Sequence, residues 1–354
     1  MRGQAGRKIR KTMKIAVIGD GGWGTATAML LSSYGHDVCV WGPFADYVEE
    51  IRSTRSNPRY LKGVEIPSEI KWTADKSEAV AGAEIVVLAL ASKYYASVCE
   101  SFKGLIPAGA TVVSLTKGLC ERTGKRMSEL AQSILGLQDV VVLSGPSHAE
   151  EVARGIPTTV VAASKDESAA RFVQKVWSGK AFRVYTSTDP VGVEIGGAVK
   201  NVIAVAVGCS DGLGFGDNTR AALITRGLAE MARFALACGA RRETVSGLSG
   251  VGDLIVTCTS VHSRNHYVGE RLGRGDRMKD ILGSMHMVAE GVWNAKAIRE
   301  MALKAGVEMP ITDLVYRVCY EDFNASEAIG VLMNRPMKGE WESGNVDNNQ
   351  IGQV

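Results

Sequence analysis

A lysine inside an otherwise apolar segment is the first residue whose setting demands chemistry. Between Gly192 and Gly208, the stretch Val193–Val207 carries two charges, Glu194 and Lys200, and apolar or small residues cover every helical face. An ammonium buried in such a helix is costly unless it faces a ligand or a partner. Burial also lowers a lysine's pKa toward the range where protons exchange. Lys200 is therefore the leading candidate for a general acid/base, with Asn201 beside it to offer a neutral hydrogen bond. The segment Gly247–Thr257 sets one acid, Asp253, among glycines and apolar residues. A buried carboxylate wants a cation, and Lys200 is the obvious one. A purely structural pairing of Lys200 with Glu194 or Asp253 is the bland alternative.

Four other groupings carry chemistry. Gly19-Asp20-Gly21-Gly22-Trp23-Gly24 satisfies G-x-G-x-x-G directly after the apolar run Met13–Ile18 and before a small-residue helix. The first glycine turns the chain out of the strand, the second lets backbone approach a pyrophosphate, and the third lets helix and sheet pack closely. Free N–H groups at the helix start then face the phosphates. Lys117 follows the strand-like Thr111–Leu115, at the edge where open α/β sheets bind ligands; its alternative is a solvated surface lysine. Ser147 and Glu150, three apart after Ser144-Gly145-Pro146, read as a capping box, and His148 as a helix-start residue rather than a catalyst. Ser263-Arg264-Asn265 combines hydroxyl, guanidinium and amide, a set able to bind a phosphate; a surface arginine is its alternative.

Elements must place these groups together. β-branched runs at Ile15–Ile18, Val38–Trp41, Ile85–Leu90, Thr111–Leu115, Val140–Leu143, Thr159–Ala162 and Phe182–Tyr185 alternate with helical stretches. That alternation predicts an α/β fold with a parallel sheet covered on both faces, a doubly wound sheet of the Rossmann type. After Asp189-Pro190, Ala-, Leu- and Met-rich segments such as Ala221–Ala240 and Val292–Ala305 have helical spacing. The expected organisation is a basic disordered tail (1–12), a dinucleotide-binding domain (13–190), a mainly α-helical substrate domain (191–342) and a frayed tail (343–354).

Composition narrows the function. Of 354 residues, 41 are basic and 38 acidic, and six of the basic ones fall within residues 1–14. The rest of the chain is mildly acidic, which argues against a nucleic-acid binder. The sequence has no apolar run of about 18 residues, the length that would span a membrane, and the basic start lacks the apolar core of a signal peptide. Seven scattered cysteines, none spaced C-x-x-C, predict reduced thiols in a cytoplasmic setting, and no metal site is expected. The dinucleotide stays open between NAD and NADP. The second strand ends in Trp41-Gly42-Pro43-Phe44, with neither the acid that would hold NAD ribose hydroxyls nor the arginine that would suit a 2′-phosphate; Phe44 is free either to stack on adenine or to pack in the loop.

These segments, in this order, resemble the bacterial-type NAD(P)-dependent glycerol-3-phosphate dehydrogenases across roughly residues 13–340. The likeness runs through Gly19–Gly24, Thr116-Lys117-Gly118, Gly145–Glu150, Asp189–Glu194, Gly197–Asn201, Gly250–Leu254, Ser263–Asn265, Ala289–Val292 and Leu332–Arg335. The resemblance implies hydride transfer between nicotinamide and C2 of dihydroxyacetone phosphate or glycerol 3-phosphate, in a cytoplasmic homodimer that feeds phospholipid synthesis. It implies catalytic roles for Lys200, Asp253 and Lys117. It implies substrate contacts from Lys117, Gly145, Ser147, Lys200, Asp253, Ser263, Arg264 and Asn265. Cofactor contacts would come from Gly19, Gly21, Gly22, Trp23, Gly24, Lys117, Ala149, Arg264, Val288 and Glu290. Two departures stand out: Gly22 replaces a common serine, and Pro43 replaces a frequent basic residue or histidine. The alternatives are a related β-hydroxyacid or 6-phosphogluconate-type dehydrogenase, and a dinucleotide sensor without turnover.

Overall fold

The computed structural model describes residues 11–285, 288–337 and 339–340. The expected tail 343–354, and all of the expected tail 1–12 but Lys11 and Thr12, lie outside the described residues. Ten strands run in chain order: β1 (Lys14–Ile18), β2 (Asp37–Trp41), β3 (Ser56–Asn57), β4 (Leu61–Glu65), β5 (Lys71–Thr73), β6 (Ile85–Leu88), β7 (Thr111–Ser114), β8 (Val141–Ser144), β9 (Thr158–Ala163) and β10 (Phe182–Ser187). Eight of them form one sheet in the order β10-β9-β8-β7-β6-β1-β2-β5, while β3 and β4 make a small antiparallel pair. Every residue of β6 and β8 is buried, as the unbroken apolar runs require of strands covered on both sides. The chain moves outward from β1 through β2 and then restarts at β6 on the other side of β1. This switch opens a crevice at the carboxyl ends of β1 and β6.

Two expectations need correcting. The sheet is not wholly parallel: β9 pairs with β8 antiparallel, and β10 follows β9 in the same reversed direction. The only helix linking β8 to β9 is Ala149–Ala153. At 1.5 Å per residue it rises about 7 Å, too little to carry the chain back to the far edge of the sheet for a parallel crossover. The sequence reading also lacks the edge elements β3, β4 and β5: β3 and β5 are two and three residues long, and β4 breaks its apolar positions with Lys, Gly and Glu.

From Pro190 on, the described elements are helical, and they wrap the helix Pro190–Gly212. Pro190 occupies the first turn and Asp189 caps it, its Oδ1 accepting from the Gly192 amide at 2.9 Å. By length and composition this helix could cross a membrane, yet 89% of its apolar stretch is buried inside the fold. Its tightest neighbour is the helix Arg264–Gly273. A methyl on Gly208 or Gly212 would overlap the carbonyls of His266 and Glu270, and one on Gly269 or Gly273 those of Val205 and Cys209. Reciprocal glycines thus bring the two backbones into direct contact, and Ser263-Arg264-Asn265 is fixed at one end of that seam.

Candidate active site

The glycine-rich turn fits a dinucleotide. Gly19 has φ +122°, and a Cβ there would strike the Ala89 carbonyl just beyond β6, so only glycine makes the turn. A Cβ on Gly24 would overlap the Gly19 carbonyl, which brings the helix Gly22–Ser33 against its own strand. Gly21 has open space where its Cβ would stand, and this N-cap residue makes no side-chain cap. The first-turn amides therefore keep their donors for an anion. Gly22 is squeezed by the Tyr60 carbonyl, with the Ala149 Cβ 3.6 Å from where its own would be. A serine would not fit in this backbone, which accounts for the departure noted in the sequence. Trp23, on the same first turn, packs its ring on the sheet's core. Phe44 is exposed at the start of the helix Ala45–Thr54.

The second half of the site is a chain of charges. Asp253 accepts from Lys200 at Oδ1 (2.9 Å) and from Lys117 at Oδ2 (2.7 Å). Lys117 also donates to the Gly145 carbonyl at 2.9 Å, and Lys200 to Thr257 Oγ1 at 2.6 Å. Thr257 in turn donates to the Asp253 carbonyl at 2.6 Å, which aims its lone pairs at the amine. Lys200 is 5% exposed and Asp253 1%. Desolvation pulls Lys200 down to about 8, with Lys117 adding to the fall and Asp253 opposing it. Burial works to raise Asp253, but the ammonium groups of Lys117 and Lys200 outweigh it and hold the carboxyl below its ordinary value. An amine that changes protonation near neutrality, held by one shared carboxylate at the mouth of the sheet, can give or take a proton at a substrate oxygen.

Lys200 pairs with Asp253 and not with Glu194. Glu194 lies nearer the start of the helix, where it accepts from the Arg126 guanidinium and from Ser128 N (2.8 Å) and Oγ (2.6 Å). The expected Ser147–Glu150 capping box is absent. Ser147 Oγ turns back to the Gly145 carbonyl (2.9 Å), and His148 is the N-cap, without a side-chain bond. The φ of +141° at Gly145 bends the loop so that this carbonyl takes Lys117 and Ser147 together. His148 faces the same cluster: burial, with Lys200 and Lys117 nearby, pushes its imidazole below the ordinary value.

The Ser263-Arg264-Asn265 segment is divided in its duties. Ser263 Oγ caps the helix by accepting from His266 N at 3.2 Å. Asn265 is buried, donating to Asn201 Oδ1 (2.9 Å) and accepting from Gly291 N (2.8 Å). Arg264 is exposed, with Nη1 on the Val288 carbonyl at 2.9 Å. Glu290, at the start of the helix Glu290–Lys304, accepts from the amide (2.8 Å) and hydroxyl of Ser92, which opens the helix after β6. Sequence reasoning missed Ser92, Thr257 and Asn294. The last is fully buried, accepting from Leu119 N (3.2 Å) and donating to the Ala198 carbonyl (3.4 Å). No local motif announces them: Ser92 and Asn294 find their partners far along the chain, and Thr257 joins the distant Lys200 to its own helix through a hydroxyl that leaves no pattern in the sequence.

Two family models match the chain. The family described as NAD-dependent glycerol-3-phosphate dehydrogenase N-terminus matches residues 14–170, and its C-terminus counterpart matches residues 189–330. The glycerol-3-phosphate dehydrogenase [NAD(P)+] of Chlorobium phaeobacteroides is 48% identical over 331 residues, covering 93% of this chain and 99% of the relative. That of Geobacillus thermodenitrificans is 50% identical over 329 residues, covering 92% and 96%. A crystal structure of glycerol-3-phosphate dehydrogenase from Coxiella burnetii superposes with a TM-score of 0.88 at 37% identity, covering 92% of this chain and 99% of that one.

Proposed function

The chain belongs to the NAD-dependent glycerol-3-phosphate dehydrogenase family, an NAD(P)-dependent oxidoreductase activity, and from that premise we propose how its own residues carry the reaction. The observation that carries the proposal is Lys200, buried, anchored by Asp253 and Thr257, with its amine drawn down to about 8. When bound, the nicotinamide supplies or takes the hydride at C2 of the triose phosphate. Lys200 donates a proton to the C2 oxygen as dihydroxyacetone phosphate is reduced, and takes it back when glycerol 3-phosphate is oxidised. In reduction the carbonyl oxygen gains negative charge, so an ammonium beside it stabilises that charge before protonating it.

Asp253 keeps the Lys200 amine in place and, by holding Lys117 as well, ties the sheet's edge to the helical half. Arg264, exposed at the glycine seam, neutralises a ligand phosphate, with Ser147, the Gly145 loop and the spare donor of Asn265 as its polar surroundings. Fixing the phosphate remote from C2 sets the carbonyl in place and lowers the barrier through orientation. The cradle Gly19–Gly24, with Lys117, Ala149, Val288 and Glu290, holds the dinucleotide. Residues 13–190 act as the cofactor domain and residues 191–342 as the substrate domain. A homodimer in a cytoplasmic setting belongs to the same reading, on the strength of the family.

The test is initial rates of dihydroxyacetone phosphate reduction by wild type and Lys200→Ala. The variant should lose at least ~10²-fold in kcat, the lower range of acid–base contributions, with KM for the dinucleotide little changed. Near-normal turnover would remove Lys200 from the mechanism, and faster oxidation of 3-hydroxyisobutyrate than of glycerol 3-phosphate would favour the β-hydroxyacid alternative.

A further inference from the structure

The second strand lacks the acid that commonly reads the adenosine ribose in this fold, since β2 ends in Trp41 and continues Gly42-Pro43-Phe44. An acid nevertheless stands beside that strand end, contributed by the glycine-rich turn. Asp20, between Gly19 and Gly21, points its carboxylate across at Gly42: a Cβ built on Gly42 would lie 2.6 Å from Asp20 Oδ2. The missing side chain at 42 is what leaves the carboxylate its space. Asp20 is 8% exposed, and Oδ2 has no hydrogen-bond partner among the described residues. The backbone beneath it is fixed, its carbonyl accepting from Asn57 Nδ2 at 2.8 Å. Burial raises the carboxyl to about 6; its own backbone amide and the Arg59 guanidinium oppose the rise. A buried carboxylate oxygen left without a donor calls for an explanation.

We propose that Asp20 is the cofactor-selecting residue of this enzyme, occupying the place of the missing β2 acid, accepting the adenosine ribose hydroxyls of NAD and rejecting the 2′-phosphate of NADP. The proposal rests on the reading of Gly19–Gly24 as the dinucleotide cradle. A carboxylate matches a vicinal diol, which offers two O–H donors, and repels a phosphate dianion at the same spot. Arg59 is the cation that would oppose this. It lies near enough to act on Asp20, but its guanidinium is already engaged, stacked over the Tyr47 ring at 4.1 Å from the centroid and within 3.8 Å of Glu50 Oε2, whose charge offsets its own. Pro43 supplies no second cation.

The experiment is direct titration of the purified protein with NADH and with NADPH, followed by nicotinamide fluorescence without substrate, and competition by 5′-AMP against 2′,5′-ADP. Wild type should bind NADH at least about tenfold more tightly than NADPH, and 5′-AMP more tightly than 2′,5′-ADP, the scale of a charge-assisted hydrogen bond. Asp20→Asn and Asp20→Ala should shrink both ratios by about tenfold or invert them. Thermal unfolding of each variant identifies the folded protein on which the ratio is read. A purely structural role for Asp20 would weaken both dinucleotides alike, and an unchanged ratio overturns the proposal. So does a wild type that prefers NADPH. Failure of wild type to bind either dinucleotide is a different result: it overturns the cradle itself, and the selection with it.

Discussion

At the scale of single residues, the proposed reaction turns on one proton passed between Lys200 and a ligand oxygen. Reduction needs the ammonium and oxidation the free amine. With Lys200 near 8, kcat/KM for dihydroxyacetone phosphate should fall as pH rises through about 8, and that for glycerol 3-phosphate should rise over the same interval. Asp253→Asn removes the carboxylate that holds the amine's affinity for protons up, so both limbs should move to lower pH. Paired pH–rate profiles check this, and limbs that stay in place would exclude the coupling. Lys200 and Asp253 were legible in the sequence because a lone charge in an apolar run must be compensated, and few groups were available to do it. Thr257 was not, although it lies one helical turn beyond Asp253, because a threonine hydroxyl bonding back to its own helix leaves no trace in residue type or spacing. Asp20 is illegible for a related reason: G-x-G-x-x-G specifies only its glycines, and the space for the Asp20 carboxylate depends on Gly42, beyond the end of another strand.

At the scale of elements, glycines decide where the chemistry sits. The helices Pro190–Gly212 and Arg264–Gly273 meet through Gly208, Gly212, Gly269 and Gly273. Gly269→Ala would drive a methyl into the Val205 carbonyl, and overpacking of this kind costs about 1–3 kcal/mol. Denaturant unfolding should register that loss, and KM for the triose phosphate should rise because Arg264 moves with the seam. Gly283→Ala, with nothing within 4 Å of its new methyl, should show neither effect; if both variants behave alike, the seam does not set the site. Helix existence was readable from small-residue periodicity, and the strands of the large sheet other than β5 from their β-branched runs. The mutual fit of two backbones was not, since four glycines in two distant segments announce nothing about one another. The Ser147–Glu150 spacing misled in the opposite sense: it satisfied a local capping rule, but the Gly145 carbonyl, bent outward by a positive φ, offered the hydroxyl a closer acceptor.

At the scale of the whole molecule, the α/β-then-helical layout was visible in the alternation of runs and its end at Asp189-Pro190, whereas strand direction was not, because a reversed pair has the same composition as a parallel one. That reversal has a consequence for catalysis. With β9 and β10 running downward, the chain leaves the sheet at the edge opposite the cradle and must climb back. The climb can be followed along β8: Val193 packs with Val142, and Gly197 lies at Ser144, its Cβ position 3.2 Å from Ser144 Oγ. Four helical residues rise about 6 Å and two strand residues about 6–7 Å, so helix and strand keep step. The ascending helix is therefore a measuring rod, graduated from Asp189 and delivering the amine one turn above the strand tips. An alanine inserted after Ala198 would lengthen the rod by 1.5 Å and twist its upper part by about 100°. Turnover should drop at least ~10²-fold, while dinucleotide titration of the cradle below the insertion continues to give a binding curve; full turnover would mean that height along the rod does not matter.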